Sequence, residues 1–409
     1  MDEILFIAHR LPFPPDRGDK IRSHHILKAL ARLAPVHVAT FADDEADFAE
    51  EASLAALAAT YCLRRRSKPL ALAAVQALAS HQPISLTAFH DRALAAYVAD
   101  VLATRPISAI YIFSGQMGQY VPKSFAGRVV LDLVDVDSAK FEAYAGKRSG
   151  PMGWVEMREA KLLAAEEARL AARAAVTLLV SPAEASLFRS RLLAGHYAYV
   201  RPLGNGIDCI AYDPAMVAPE PRMLACTGPR LIFTGQMDYA PNVDAVRRVV
   251  DRILPAIRAV RPDATFHVVG RNPPAELRVR HGENGCHIWG RVDDIRPWLA
   301  AATHALIPLE IARGVQNKVL EAMAMALPVV VSREAATGIA ASDGEHFVVA
   351  DSDDGLAQAV LALLDGPVRA RALGLAARSF VLDHASWDAA LEPLAAIMGG
   401  LGGVRRDAA

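Results

Sequence analysis

The residue types best suited to chemistry gather in ALIPLEIARGVQNKVLEAMAMALPVVVS, residues 305–332. Three polar side chains, Asn317, Lys318 and Glu321, interrupt an otherwise apolar pattern shortly after Gly314. Val315, Val319, Leu320 and Met323 recur at helical spacing, which places the polar three near the start of a helix. Free N–H groups and the positive dipole end of a helix suit a phosphate or another anion. A carboxylate one to two turns further in, Glu321, would point at hydroxyls just beyond that anion. The combination fits a nucleotide-sugar pocket. The plainer reading is a buried strand–helix–strand crossover with a few solvated polar residues.

Other segments offer weaker chemistry. LDLVDVDSAKF, residues 131–141, sets Asp132, Asp135 and Asp137 after a strand. Asp135-Val136-Asp137 is a D-x-D, able to hold Mg²⁺ in a fold with one nucleotide-binding domain, or to cap a helix near Ser138. In DRGDKIR, residues 16–22, Gly18 would let backbone N–H groups approach a diphosphate or an acceptor. Lys20 and Arg22 could contact an acceptor phosphate, or belong to a solvated basic loop. Glycines recur at successive strand ends as Gly235, Gly270 and Gly290. Gly290 and Val292 are placed to line a base pocket through their backbones, and Asn242 to cap the helix that follows Gly235. Arg271 suits a diphosphate or the surface. His9 ends the first strand. His24 and His25 are sequence neighbours and cannot share a helix face, and no pair among the 13 histidines has metal-ligand spacing.

The elements that must position these residues alternate. Strands are expected at Ile4–Ala8, Val36–Phe41, Ala109–Phe113, Val129–Val134 and Val176–Val180, with helices over residues 21–33, 69–80, 87–104 and 156–174 between them. A second alternation, with strands at Leu231–Thr234, Thr265–Val269, His287–Trp289, Ala305–Leu309 and Val329–Val331, follows a turn-rich crossing at residues 200–228 that carries Pro214, Pro219 and Pro221. Strands separated by helices pair in parallel, so two doubly wound α/β halves facing a cleft are expected. Ligands in such sheets bind beyond the carboxyl ends of the strands. The divisions fall at 1–204, 205–380 and a helical tail, 381–409, that could return to the first half.

At 409 residues, 53% hydrophobic and 22% charged, the chain has material for two or three cores. A formal net charge of −1 argues against a nucleic-acid binder. Cys62, Cys209, Cys226 and Cys286 lie far apart with no C-x-x-C, giving neither a disulfide framework nor a zinc site and fitting a reducing, cytoplasmic compartment. The acidic start MDEILFIA lacks the basic region of a signal peptide, and no run approaches the roughly 18 apolar residues of a membrane span. Arg64, Arg65, Arg66 and Lys68 precede the apolar run at residues 69–79. This arrangement could dock on an anionic membrane surface, or could be a solvated turn before a core helix.

TGQMDYAPNVDAV, FHVVGRNP, WGRVDDIRPWLA and NKVLEAMAMALPVV, in that order and spacing, resemble the C-terminal domain of the family 4 retaining glycosyltransferases. NGIDCIAYDP, from residue 205, is similar to the interdomain crossing of that family, and RLPFPPDRGDKIRSHHILKAL to its N-terminal glycine loop and first helix. GDKIRSHHILKAL, DLVDVDSAKFEAYA and RGVQNKVLEAMAMALPVVVS further resemble sugar transferases of PEP-CTERM/exosortase exopolysaccharide clusters. The resemblance implies a GT-B fold of two Rossmann-like domains, an N-terminal acceptor domain and a C-terminal donor domain. It also implies a nucleotide-sugar donor, a glycan or polyprenyl-linked acceptor, and no metal cofactor. By position, Glu321 matches the glutamate that binds the donor ribose. The family's upstream glutamate is replaced by Arg313, with Glu310 three residues earlier. Asp238 and Tyr239 stand where Arg and Lys are common, which leaves Arg271, Arg313 and Lys318 to grip the diphosphate. Asp135, Asp137 and Arg313 form the expected catalytic set. A non-hydrolysing nucleotide-sugar epimerase and a non-catalytic partner subunit are the alternatives on the same plan.

Overall fold

The computed structural model describes residues 2–146, 150–192, 197–312 and 315–400. The chain forms two compact units. One comprises Met1–Asn205 together with the chain from Leu391 onward, and the other is Gly206–Ala390.

The first unit is built on β1 (Glu3–Ala8), β2 (Val36–Ala42), β3 (Thr60–Arg65), β4 (Ile107–Phe113), β5 (Arg128–Val134), β6 (Val176–Leu179) and β7 (Val200–Pro202). They form one sheet in the order β3-β2-β1-β4-β5-β6-β7, with every neighbouring pair parallel. Helices cover such a sheet on both faces, so its central strands are largely buried rather than alternating between core and solvent. β1 is buried from Ile4 to Ala8 and β2 along its whole length. The strand order reverses between β1 and β4, the position at which doubly wound sheets open a crevice.

The second unit contains β8 (Arg230–Thr234), β9 (Thr265–Val269), β10 (Cys286–Gly290), β11 (His304–Ile307), β12 (Val329–Val331) and β13 (Val348–Val349). The order is β10-β9-β8-β11-β12-β13, again parallel, with its reversal between β8 and β11. Phe233, Phe266, Val268, Val319, Met323 and Val330 lie in one continuous core. Gly206 is required at the start of this unit, because a Cβ there would lie 2.4 Å from the backbone of Trp387.

Several expectations shift in detail. β3, β7 and β13 were not expected: β3 is half-buried with an arginine-rich end, and the other two are only three and two residues long. Such strands show little apolar period. The helix expected over 87–104 is two helices, Ile84–Ala88 and Arg92–Thr104, because Asp91 caps the second by accepting from the Leu94 N–H at 2.9 Å. The rod after β8 starts at Ala240 and passes through a π turn at Val249–Ile253. The helix Pro367–His384 runs past residue 380 within the second unit, and the Arg128 guanidinium donates to the Ile397 carbonyl at 2.5 Å in the first.

Candidate functional site

In the second unit the strand ends around the β8/β11 reversal are brought close by glycine. Gly235 follows β8 at φ +153°, and Gly270 follows β9 so closely that a Cβ on it would fall 1.6 Å from the Gly235 carbonyl oxygen. A Cβ on Gly235 would meet the Asn242 amide at 2.8 Å and the Lys318 ammonium at 3.2 Å. Gly270 donates its N–H to the Gly290 carbonyl at 2.9 Å, and Gly290 turns at φ +73° with open space beside it. Val292 is half-buried against the core. The structure therefore gathers Gly235, Gly270 and Gly290 along one edge of the sheet.

Helix Asn317–Ala324 begins after β11 and buries Val319, Leu320 and Met323 against the sheet. Its polar residues divide accordingly. Asn317 is exposed at the first position. Lys318 donates to the Asn242 side-chain oxygen at 2.5 Å and sits 4.6 Å from the Phe233 ring centroid. Burial there lowers its pKa to about 8, against the opposing pull of Glu321. Glu321, one turn on, is pushed up by burial and held back by the Lys318 charge and a hydrogen bond from Tyr212. The Tyr212 hydroxyl is itself driven up, by burial first and by Glu321 second. Tyr212 was not foreseen; it lies in the crossing segment, whose sequence signals only turns.

Asn242 does not cap its helix. The cap position is Tyr239, and the Asn242 amide bridges Lys318 and the Gln236 carbonyl, to which it donates at 2.8 Å. Arg271 is exposed beside Asp238, whose carboxyl is lowered by the Asn272 amide first and by the Arg271 charge last. Glu310 faces the Arg252 guanidinium at 3.4 Å. Arg313 and Gly314 lie outside the described residues.

The first unit carries a cavity of about 320 Å³ beside the β1/β4 reversal. The His9 ring lies against Phe113, at 5.8 Å and nearly parallel, with its Nε2 3.4 Å from Asp19. Burial pushes the Asp19 carboxyl up, but hydrogen bonds from His9 and Arg10, with the charges of Arg10 and Arg17, hold it well below the usual range. Arg10, Arg17 and Arg66 all reach Asp43, at 2.7, 3.2 and 2.7 Å. Asp135 and Asp137 share the Lys140 ammonium, at 2.9 and 3.1 Å. Both acids line the cavity, as do His9, Arg10, Asp19 and Arg66. Ser114 and Val134, at the ends of β4 and β5, sit at φ +78° and +69° on its rim. A β-branched residue in that region is strained, and such strain concentrates at functional sites. Among the described residues no group of three or more His, Cys, Asp or Glu side chains is arranged to hold a metal ion.

Two expected acceptor contacts are corrected. Lys20 is buried, donating to Asp47 at 2.5 Å and to the Phe13 carbonyl at 3.2 Å. Arg22 is fully buried, pairing with Asp132 at 3.0 Å and donating to Asn205 at 2.9 Å, while the Tyr111 hydroxyl completes Asp132 at 2.7 Å. Helix Gly18–Leu33 turns both side chains inward, while Gly18 keeps open space around it at the helix start beside Asp19. The basic cluster also has internal partners: Arg64 with Asp91, Arg65 with Glu45, Arg66 with Asp43, and Lys68 with the Thr87 carbonyl. Sequence reasoning singled out His9 only for its strand end and missed Arg10, Asp19 and Lys140. It missed Arg66 as a site residue because β3, which delivers it, was not recognised.

Residues 228–366 match the family described as Glycosyl transferases group 1. A GDP-mannose-dependent monoacylated alpha-(1-6)-phosphatidylinositol monomannoside mannosyltransferase of Corynebacterium glutamicum is 28% identical over 244 residues, 54% of this chain and 62% of that protein. Sucrose-phosphate synthase of Thermosynechococcus elongatus superimposes with a TM-score of 0.60 at 17% identity, over 98% of this chain and 99% of the other. HepE of Anabaena, solved in complex with UDP, gives 0.61 at 16%, over 98% and 100%. The fold is GT-B.

Proposed function

We propose that this chain is a retaining glycosyltransferase that moves a sugar from a nucleotide-sugar donor to a glycan or lipid-linked acceptor in exopolysaccharide biosynthesis. The observation that carries the reading is the pairing of Lys318 and Glu321 on one helix at the β8/β11 reversal, beside three strand-end glycines. Glycine, with no side chain, lets the backbone itself lie close to a bound nucleotide. Lys318, held by Asn242, presents a partly desolvated ammonium to the same anion, and Glu321 accepts from the ribose hydroxyls. The family match over residues 228–366, which falls in this unit, and a fold shared with HepE, a protein solved in complex with UDP, support the reading of a nucleotide-sugar donor.

In the reaction the bond from the anomeric carbon to the diphosphate oxygen breaks and its electron pair leaves with the phosphate. The acceptor hydroxyl adds to the same face of that carbon and passes its proton to the departing phosphate oxygen. Charge on the leaving group is stabilised by fixed donors, which cost no reorganisation. In the first unit Asp135 and Asp137, which share the one Lys140 ammonium and so keep a net negative charge, are suited to orient an acceptor hydroxyl. No divalent cation is assigned a step.

Calorimetric titration with UDP, GDP and their sugars tests the donor site, and transfer with and without EDTA tests the metal assignment. Binding of one nucleotide that weakens about tenfold or more in Glu321→Ala is the expected result. Failure of every nucleotide to bind, or an unchanged Glu321→Ala, would overturn the reading.

A further inference from the structure

Asp135 and Asp137 stand at a turn that its own backbone energetics would not keep. Where β5 ends, the Asp135 N–H donates back to the Leu133 carbonyl at 2.9 Å, closing a three-residue turn over Val134 at φ +69°. That turn is rare and strained, and more so on a β-branched residue. The pairing of β5 with β6 also shifts register here, between Asp132 and Val134. Such a conformation persists only where the surroundings over-determine it.

Three carboxylates from three elements supply the constraint, and they take alternate N–H groups. The Val134 N–H donates to Asp132, in β5 itself, at 3.1 Å. The Val136 N–H donates to Glu184, on helix Pro182–Arg191, at 2.9 Å. The Ser138 N–H and hydroxyl donate to Glu167, on helix Pro151–Ala171, at 3.0 and 2.6 Å. Bonds from N–H groups to a carboxylate are of the stronger, charge-assisted kind. The carboxylates are set in their turn: Asp132 by Arg22 and Tyr111, and the Glu184 backbone by the Ser181 hydroxyl at 3.1 Å. Between the clamped positions lie Asp135 and Asp137, which line the cavity of the first unit. None of the three clamping carboxylates is among its described lining residues.

We propose that Glu184 and Glu167 are positioning residues for sugar transfer: by holding the Val136 and Ser138 N–H groups they aim Asp135 and Asp137 at the acceptor hydroxyl. The inference rests on the transfer reading above. A carboxylate whose backbone wanders by about an ångström loses most of its orienting value, so a turn that carries two of them needs support from rigid elements. Lys140 does not provide it, because its ammonium spans both acids from a flexible side chain. The two glutamates act through the aspartates rather than on the substrate.

Release of nucleotide by the full chain from a panel of UDP- and GDP-sugars, with water as the acceptor hydroxyl, tests it. Glu184→Ala should lower kcat about tenfold or more, with the donor KM within about twofold of the parent. Glu184→Gln, whose amide oxygen still accepts from the Val136 N–H, should keep the rate within about threefold. In a chain already carrying Asp135→Asn and Asp137→Asn, Glu184→Ala should cost nothing further, because it acts only through those acids. Amide hydrogen exchange over residues 133–139, measured without sugar, should rise about tenfold in Glu184→Ala and stay low in Glu184→Gln. A loss of rate that is equal in both backgrounds, or that Glu184→Gln does not recover, would mark a general structural effect and overturn the inference. Unchanged exchange or an unchanged rate in Glu184→Ala would overturn it as well. A parent chain that turns over no donor would overturn the transfer reading and this role with it, a result distinct from turnover that Glu184→Ala leaves untouched.

Discussion

The two sheets end in different chemistry. At the reversal in the first unit, charges are numerous and neutralised: Arg10, Arg17 and Arg66 converge on Asp43, and Lys140 spans Asp135 and Asp137. At the reversal in the second, charges are few and desolvated: Lys318 and Glu321 stand among glycine backbone, an amide and aromatic rings. Paired charges fix geometry and hold one another in the charged form, as the lowered Asp19 and Asp43 carboxyls show. Desolvated charges remain available to a ligand and shift their pKa until it arrives. The first arrangement suits orientation, the second suits gripping an anion.

Substitutions can break that contrast. The largest effect on stability is expected where backbone meets backbone: Gly270→Ala places a methyl on the Gly235 carbonyl and should destabilise by about 3 kcal/mol or more in urea denaturation. Arg22→Ala, which leaves Asp132 buried and unpaired by a cation, should cost about 3–5 kcal/mol. An acceptor contact would instead raise KM at unchanged stability. Glu321→Ala should weaken nucleotide binding by about 1.5–3 kcal/mol with little loss of fold, read by calorimetry.

Two pH profiles sharpen the comparison. Lys318, with its pKa lowered to about 8, is charged below that pH and neutral above it. Nucleotide affinity should therefore fall as pH rises through about 8, and Lys318→Met should flatten the profile. Glu167 in the first unit accepts from the Ser138 N–H at 3.0 Å and its hydroxyl at 2.6 Å, steadying the helix that begins at Asp137. Burial raises its pKa from 4.5 to about 7. A raised carboxyl pKa contributes stability that is fully present below pH 4.5 and lost as pH rises through about 7. Glu167→Gln should remove that slope from denaturation midpoints, the smallest effect of the set.

Much of the architecture was legible because parallel strands buried on both faces must be continuous apolar runs, as in Ile4–Ala8 and Val329–Val331. Edge strands are not so constrained, and β3, β7 and β13 escaped for that reason. The donor-side glycines were visible because close backbone approach admits no substitute, and Lys318 and Glu321 because they break an apolar period. The sequence by itself determined the two doubly wound sheets, the glycines at their ends and the helix that carries Glu321. Only the tertiary structure decided which charges are spent. Lys20 and Arg22 look like ligands for phosphate in DRGDKIR, yet the helix turns them onto Asp47 and Asp132, far along the chain. The opposite holds for helix Leu70–Ser80, whose leucines and valine look like core and face outward. A side chain's type is local, but whether it meets an ion pair, a core or open surface depends on residues that only folding brings to it.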